Sequence, residues 1–295
     1  MFTWMPGPQR GVVALGLMAV NTMFWCPLLF FVAFFKLIVP VETWRRWCSC
    51  VLNRIAVCWI WTNNLNHRLT TKTRWNVSGL DALDRLECYM VVANHQSWAD
   101  ILVLQRVFNR RIPLLKFFLK KELIWFPMLG LAWWALDFPF LKRYSKKFLK
   151  KHPHLAGKDL ENTRRACEKY KKMPVAVMNF VEGTRFSKDK QNRQQSPFAH
   201  LLRAKAGGLA FALSSMGGRI NRLIDVTIVY PQGKKSFWNY LCGNISEIKV
   251  RVRQLPITQR LQGDYIGDRG FRREFQNWLN DLWTEKDQLI TQLQS

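Results

Sequence analysis

The 295-residue sequence is poor in acid: 20 Asp and Glu stand against 45 Lys and Arg, for a formal charge of +25. That imbalance calls for an anionic partner, which means nucleic acid, an anionic lipid surface or a phosphorylated substrate. No helix-turn-helix and no base-stacking platform is visible, so nucleic acid is not expected. The 7 cysteines, an odd number scattered over Cys26, Cys48, Cys50, Cys58, Cys88, Cys167 and Cys242, contain no Cys-x-x-Cys pair. This excludes a paired disulfide framework and a thiolate zinc site, and it fits reduced thiols in a cytosol-facing protein. A nucleophile elbow and a metal-ligand cluster are both missing, which argues against a serine hydrolase or a metal-dependent phosphatase. Internal repeats and low-complexity tracts are absent too. With 48% apolar residues the chain has ample material for a core.

What is present begins with a long run without charge, Val12 to Phe35. Twenty-four residues at about 1.5 Å each cover the hydrocarbon thickness of a bilayer, so the run reads as a membrane segment. Asn21, Thr22 and Pro27 interrupt it, which leaves a kinked or re-entrant helix open beside a straight span. The run is too long for a cleaved signal peptide, and no small-x-small site follows. Trp44 to Trp61 is apolar but carries Arg45, Arg46 and Arg54, the pattern of a helix lying in the interface. The 14 tryptophans and the excess of Lys and Arg suit that layer. Residues 1–61 are therefore expected to form an N-terminal membrane-associated helical pair, with a polar link over Thr62 to Arg74. Residues 62–295 are expected to form the catalytic domain. If the first helix spans, the positive charge after it places that domain in the cytoplasm.

Beyond the link, short apolar runs alternate with helical patterns. Tyr89 to Ala93, Leu114 to Phe118, Val175 to Val181 and Asp225 to Tyr230 read as strands, giving an α/β fold with a mostly parallel sheet flanked by helices. Phe271, Phe275, Trp278, Leu279, Leu282 and Trp283 fall on one stripe, so Gly270 to Gln294 is expected to be an amphipathic helix packed on the core.

Val91-Val92-Ala93-Asn94-His95-Gln96-Ser97-Trp98-Ala99-Asp100 is the stretch with the clearest chemistry. An apolar strand ends at Asn94, a helix is expected from Ser97 to Leu104, and His95 lies on the turn between them. Asp100 then comes about one helical turn further on, where its carboxylate can accept from one imidazole nitrogen and leave the other to take a proton. His154 and Asp159 repeat the spacing, but in a polar segment broken by Pro153 and Gly157, where Asp159 reads as a helix N-cap. A second strand ends in Glu182-Gly183-Thr184-Arg185. There Gly183 permits a tight turn, Arg185 offers a fork of donors for phosphate, and Glu182 can brace the loop. The aromatic run from Leu123 to Leu141 reads as core or as the wall of an acyl-chain groove. Lys142 to Lys172 carries 12 Lys and Arg against 3 acids, a solvated face that also suits anionic headgroups.

Asn94-His95-x-x-x-x-Asp100 followed by Glu182-Gly183-Thr184-Arg185 resembles the glycerolipid acyltransferase family, the 1-acylglycerol-3-phosphate acyltransferases. The likeness runs from Tyr89 to Pro231. Phe138 to Arg143 looks like the family's second motif, Val226 to Pro231 like its fourth, and Lys205-Ala206-Gly207 like the basic-x-Gly element after the third. Asn-His-Gln-Ser-Trp and the aromatic second motif come closest to a subgroup containing lysocardiolipin-type acyltransferases and an enterobacterial paralogue. Three positions depart from the pattern: Val181 stands where Pro is usual, Asp137 or a neighbour where Gly is usual, and Val226-Thr227-Ile228 where Val-Pro-Val is common. The resemblance implies a membrane-bound enzyme of the bacterial inner membrane, with no cofactor or metal. It implies acyl-CoA or acyl-ACP as co-substrate donor and a lysophospholipid acceptor, with the anionic membrane surface as a further partner. It implies His95 as general base held by Asp100, and Glu182, Gly183, Thr184, Arg185, Arg143 and Lys205 around the acceptor phosphate. A non-catalytic, membrane-anchored protein binding anionic lipid or nucleic acid through its basic surface is the alternative.

Overall fold

The structure, a computed structural model, describes residues 2–141, 170, 173–216, 218–220, 222–233, 236–265 and 267–294. Arg143, the basic run through Lys172 and the pair His154 and Asp159 lie outside the described residues, apart from Tyr170. The chain opens with two long helices, α1 (Gly7–Ile38) and α2 (Glu42–Thr70). Then come β1 (Arg74–Ser78), β2 (Tyr89–Ala93), α3 (Ala99–Phe108), β3 (Leu115–Phe117) and β4 (Leu119–Lys120). They are followed by α4 (Leu129–Ala135), β5 (Phe140–Leu141), β6 (Ala176–Asn179), α5 (Lys188–Gln194) and α6 (Ala206–Ser215). The described part closes with β7 (Arg222–Val229), α7 (Phe237–Leu241), β8 (Glu247–Pro256) and α8 (Arg269–Gln294).

Six strands form one sheet in the order β1-β8-β7-β2-β6-β3. Every neighbouring pair is parallel except β7 with β8, so the sheet is mixed and mostly parallel, as expected. β2 sits in the middle and is buried along its whole length, as the uninterrupted run Tyr-Met-Val-Val-Ala requires of a strand covered on both faces. Its side chains alternate between two cores. Met90 and Val92 join Leu209 and Leu213 of α6 and Phe275, Leu279 and Trp283 of α8; Tyr89, Val91 and Ala93 join Val103 and Val107 of α3. The stripe on the C-terminal helix is therefore core. β2, β6 and β7 run the same way, so their carboxyl ends meet on one edge of the domain. That edge is where open α/β sheets collect ligands.

Two strands of this six-stranded sheet escaped the sequence reading, as did the short pair β4 and β5 beside it. β1 is an edge strand with no fully buried residue, and its propensity is unremarkable. β8 does alternate, Ile248, Val250 and Val252 facing the core between charged neighbours, but it lies in a region with no motif to draw attention to it. The polar link expected over Thr62 to Arg74 is also corrected, since α2 continues to Thr70. Its polar side chains find partners inside the hairpin: Asn63 accepts from Asn21 of α1, and Thr70 donates to the Asn66 carbonyl within α2.

α1 and α2 form an antiparallel pair, tied by Phe2 N to Leu69 O at one end and Trp44 Nε1 to Phe35 O at the other. Asn21 and Thr22, which interrupt the apolar run, are the ties in the middle. Asn21 Nδ2 donates to Asn63 Oδ1 at 2.9 Å and to Trp59 O at 3.0 Å, and Thr22 Oγ1 accepts from Trp59 Nε1 at 3.2 Å. Among the described residues α1 is the one helix long and apolar enough to cross a membrane. Its outer side exposes Val12, Val20, Phe24, Phe31 and Phe34, and the aromatic segment beside it exposes Trp125, Phe126, Leu131 and Trp134. Ala132, Ala135 and Leu136 of that segment pack inward on Leu29, Ala33 and Leu52, so the run from Leu123 is divided between core and surface.

The hairpin docks on the domain at Gly11. A Cβ there would stand 2.7 Å from Cys242 Sγ and 2.9 Å from the Trp238 ring. Gly11→Leu should therefore weaken the dock by about 1–3 kcal/mol, as overpacking of a tight contact does. Limited proteolysis at Thr71 to Thr73, after α2, should quicken several-fold in the variant. Unchanged cleavage would show that the contact does not hold the hairpin in place.

Candidate active site

β2 ends where its last side chain takes over the pairing of the strand. Asn94 is fully buried, and its amide exchanges two hydrogen bonds with the main chain of β7, Nδ2 to Ile228 O at 2.9 Å and Oδ1 from Ile228 N at 2.8 Å. The backbone is thereby released from the sheet at His95, which turns towards the surface. Its imidazole lies flat on Phe180, with ring centroids 3.9 Å apart and planes 15° from parallel.

His95 Nδ1 is 2.9 Å from Asp100 Oδ2, in the first turn of α3. The same oxygen accepts from the backbone N–H groups of Gln96 at 2.6 Å and Ser97 at 2.8 Å, and Oδ1 accepts from the Tyr230 hydroxyl at 2.7 Å. Asp100 has no solvent contact, and among the described residues these four donors fill its carboxylate. A carboxylate offers only acceptors, which puts the proton on Nδ1 and the lone pair on Nε2. Nε2 has no hydrogen-bond partner among the described residues. The ring keeps 12% of its side-chain surface exposed, enough to meet a bound hydroxyl.

The loop after β6 clamps the same histidine from behind. Glu182 Oε1 accepts from His95 N at 3.0 Å, Glu182 Oε2 accepts from Leu202 N at 3.0 Å, and Phe186 N donates to His95 O at 2.7 Å. Glu182 is fully buried, so its carboxyl braces two loops rather than facing a ligand. Gly183 takes a left-handed φ of +71°, which a side chain would strain. Lys205 passes over it, its Nζ 3.4 Å from where a Cβ would be. The Thr184 hydroxyl accepts from Lys190 Nζ at 2.8 Å, and the same ammonium donates to Arg185 O at 3.0 Å. Arg185 stacks its guanidinium 4.5 Å above the exposed ring of Trp98. Glu182 to Arg185 and Lys205 are thus gathered beside His95.

Tyr230, Phe180, Trp98 and Lys190 were not singled out from the sequence. Tyr230 and Phe180 lay inside the quoted strand ends, but a hydroxyl 130 positions from its carboxylate leaves no local signature. Asp137 explains one departure from the family pattern: it adopts φ +59°, the left-handed conformation for which Gly is usual and which Asp tolerates. It pairs there with Lys36 of α1 at 2.6 Å.

The α/β sheet thus carries a carboxylate-held histidine just past its central strand, beside a loop braced by Glu182 and ending in Arg185. Residues 74–231, more than half of the chain, match the Acyltransferase family, and the chain belongs to that family. It is 28% identical over 180 residues to human 1-acyl-sn-glycerol-3-phosphate acyltransferase gamma, covering 58% of this chain and 43% of that protein. It is 23% identical over 239 residues to the 2-acyl-1-lysophosphatidylinositol acyltransferase of Saccharomyces cerevisiae, covering 68% of this chain and 60% of that one. The chain spans about half the length of the curated relatives it matches. Its fold is similar to the crystal structure of the 1-acyl-sn-glycerophosphate acyltransferase PlsC from Thermotoga maritima, with a TM-score of 0.51 at 16% identity over 96% of this chain and 97% of that one.

Burial pushes the Glu182 carboxyl up to about 8 against the two backbone donors, and the nearby Asp100 charge acts in the same direction. The folded state then holds a proton that the unfolded chain releases near the ordinary value of 4.5. Stability should fall as pH rises from the unfolded value through about 8 and level off beyond it. Thermal unfolding in detergent, compared between wild type and Glu182→Gln, should show this slope in the wild type alone. Parallel curves would rule out Glu182 as its source.

Proposed function

We propose that the protein is a membrane-bound acyltransferase that moves a fatty acyl group from acyl-CoA or acyl-ACP to the free hydroxyl of a lysophospholipid, with 1-acylglycerol-3-phosphate as the preferred acceptor and phosphatidic acid as product. The observation that carries this reading is the 2.9 Å contact from His95 Nδ1 to a sealed Asp100, which leaves Nε2 as a proton acceptor at the exposed edge. His95 Nε2 removes the proton as the acceptor hydroxyl attacks the thioester carbonyl. The tetrahedral intermediate expels the thiolate, which takes the proton back from the imidazolium, and no acyl-enzyme forms. Asp100 stabilises the charged ring without itself becoming protonated.

Arg185 is the first candidate for the acceptor phosphate, because its loop is bonded to the main chain of His95 and its guanidinium is held on the exposed ring of Trp98. Lys205 adds a second cation across Gly183, and Arg143 is a third candidate by its place in the sequence. Glu182 and Thr184 hold the loop that carries them. The exposed apolar side of α1 and the aromatic surface of α4 enter the bilayer together, which favours a hairpin held in the cytoplasmic leaflet of a bacterial inner membrane with the sheet domain in the cytoplasm. The run Asn94 to Trp98 supports, as part of this reading, a kinship with the lysocardiolipin-type acyltransferases.

Transfer of labelled acyl groups to 1-acylglycerol-3-phosphate in mixed micelles tests the reading. His95→Ala should lower kcat by about 10²- to 10⁴-fold, and Asp100→Asn by a similar factor because it reverses the tautomer. Trp98→Ala should act on the acceptor KM, raising it several-fold with kcat little changed. A wild type inactive with every lysolipid and both donor classes, but still binding anionic vesicles, would replace the enzyme with the lipid-binding alternative.

A further inference from the structure

The core stripe of α8 contains a charge where an apolar residue belongs. Between Trp283 and Ile290, both fully buried, stands Lys286, which is itself without solvent exposure. Its ammonium uses its donors on β7: Nζ is 2.6 Å from Asp225 Oδ1, 2.7 Å from Val226 O and 3.0 Å from Thr227 Oγ1. Asp225 Oδ2 is held in turn by Arg253 of β8 at 2.8 Å, and Arg253 reaches Glu285 at 2.7 Å. Two cations and two anions make the network neutral. Only the Lys286–Asp225 pair is fully buried, and burying it costs more than packing Leu or Met there, so the hydrophobic core alone gives no reason for it.

The gripped residues explain its position. Asp225 and Val226 pair with Val92 and Ala93, the last two residues of β2. The residue after Thr227, Ile228, exchanges both backbone bonds with Asn94, and Tyr230 donates to Asp100. β7 therefore supports the neighbours on both sides of His95, and Lys286 fastens β7 just before those contacts begin.

We propose that Lys286 is a positioning residue for the His95–Asp100 pair, acting through β7 on Asn94 and Tyr230. The C-terminal helix is on this view part of the catalytic framework, although it lies outside the matched family segment, which ends at residue 231. The kinetic side rests on the proposed acyl transfer, whereas the mechanical side does not.

The test uses the full chain in detergent with two variants. Lys286→Met removes the clamp, and Lys286→Met with Asp225→Asn removes it without leaving a buried carboxylate one cation short, which keeps a folded variant available. In whichever variant matches the wild type in unfolding cooperativity, kcat for acyl transfer should fall by about tenfold to a hundredfold while KM stays within about threefold, since a small displacement at the reacting groups affects rate more than binding. Hydrogen exchange in the peptide over residues 225–230 should quicken, and the β6 peptide should not. Wild-type kcat together with wild-type exchange in a folded variant would overturn the proposal. If the wild type itself transfers no acyl group, the acyltransferase reading fails, and β7 exchange alone then decides the clamp.

Discussion

A carboxylate cut off from water is unstable unless its oxygens are filled, and Asp100 is filled by four donors: two backbone amides, the Tyr230 hydroxyl and His95 Nδ1. The amides come from the turn that leads into α3, so the start of the helix supplies the field that suits a negative charge. Tyr230 comes from the far end of β7. The four cannot be assembled unless β2 and β7 are in register and the turn after Ala93 is tight, and Asn94 secures both by bonding to Ile228. Proton placement on His95 is thus the last consequence of a chain of contacts that begins in the sheet.

The same contacts explain why the arginine loop lies where it does. Glu182 reaches the amide of His95, Phe186 reaches its carbonyl, and Phe180 lies under its ring. The ring and its peptide groups are therefore tied by direct contacts to the loop that carries Glu182 and Arg185. The hairpin of α1 and α2 joins the domain through Gly11 and through the ion pair of Lys36 with Asp137, which fixes the apolar surface carrying Phe24, Phe31 and Trp134 relative to the sheet.

Much of this was legible in sequence because the relevant signals were local. β2 appears with the bounds read from its apolar run, and the approach of His95 to Asp100 follows from five residues spanning a turn and the start of a helix. The sheet class followed from apolar runs alternating with helical stretches. What escaped depends on residues distant in the chain. Tyr230 and Lys286 read as ordinary strand and helix residues until β7 and α8 are packed, and that Glu182 braces its loop through the amides of His95 and Leu202 shows only once those distant segments are brought together. The polar end of α2 looked like a linker because Asn63, Asn66 and Thr70 hide their partners inside the hairpin and the helix.

The central claim is that Asp100 fixes the proton of His95 on Nδ1 and leaves Nε2 basic. Nitrogen NMR of histidine-labelled protein in detergent, with the His95 signals assigned by their loss in His95→Gln, reads that proton directly. The account predicts a protonated Nδ1 and a bare Nε2 in the neutral ring of the resting protein. A proton found on Nε2 would contradict it, because that nitrogen could then not accept one from a substrate hydroxyl.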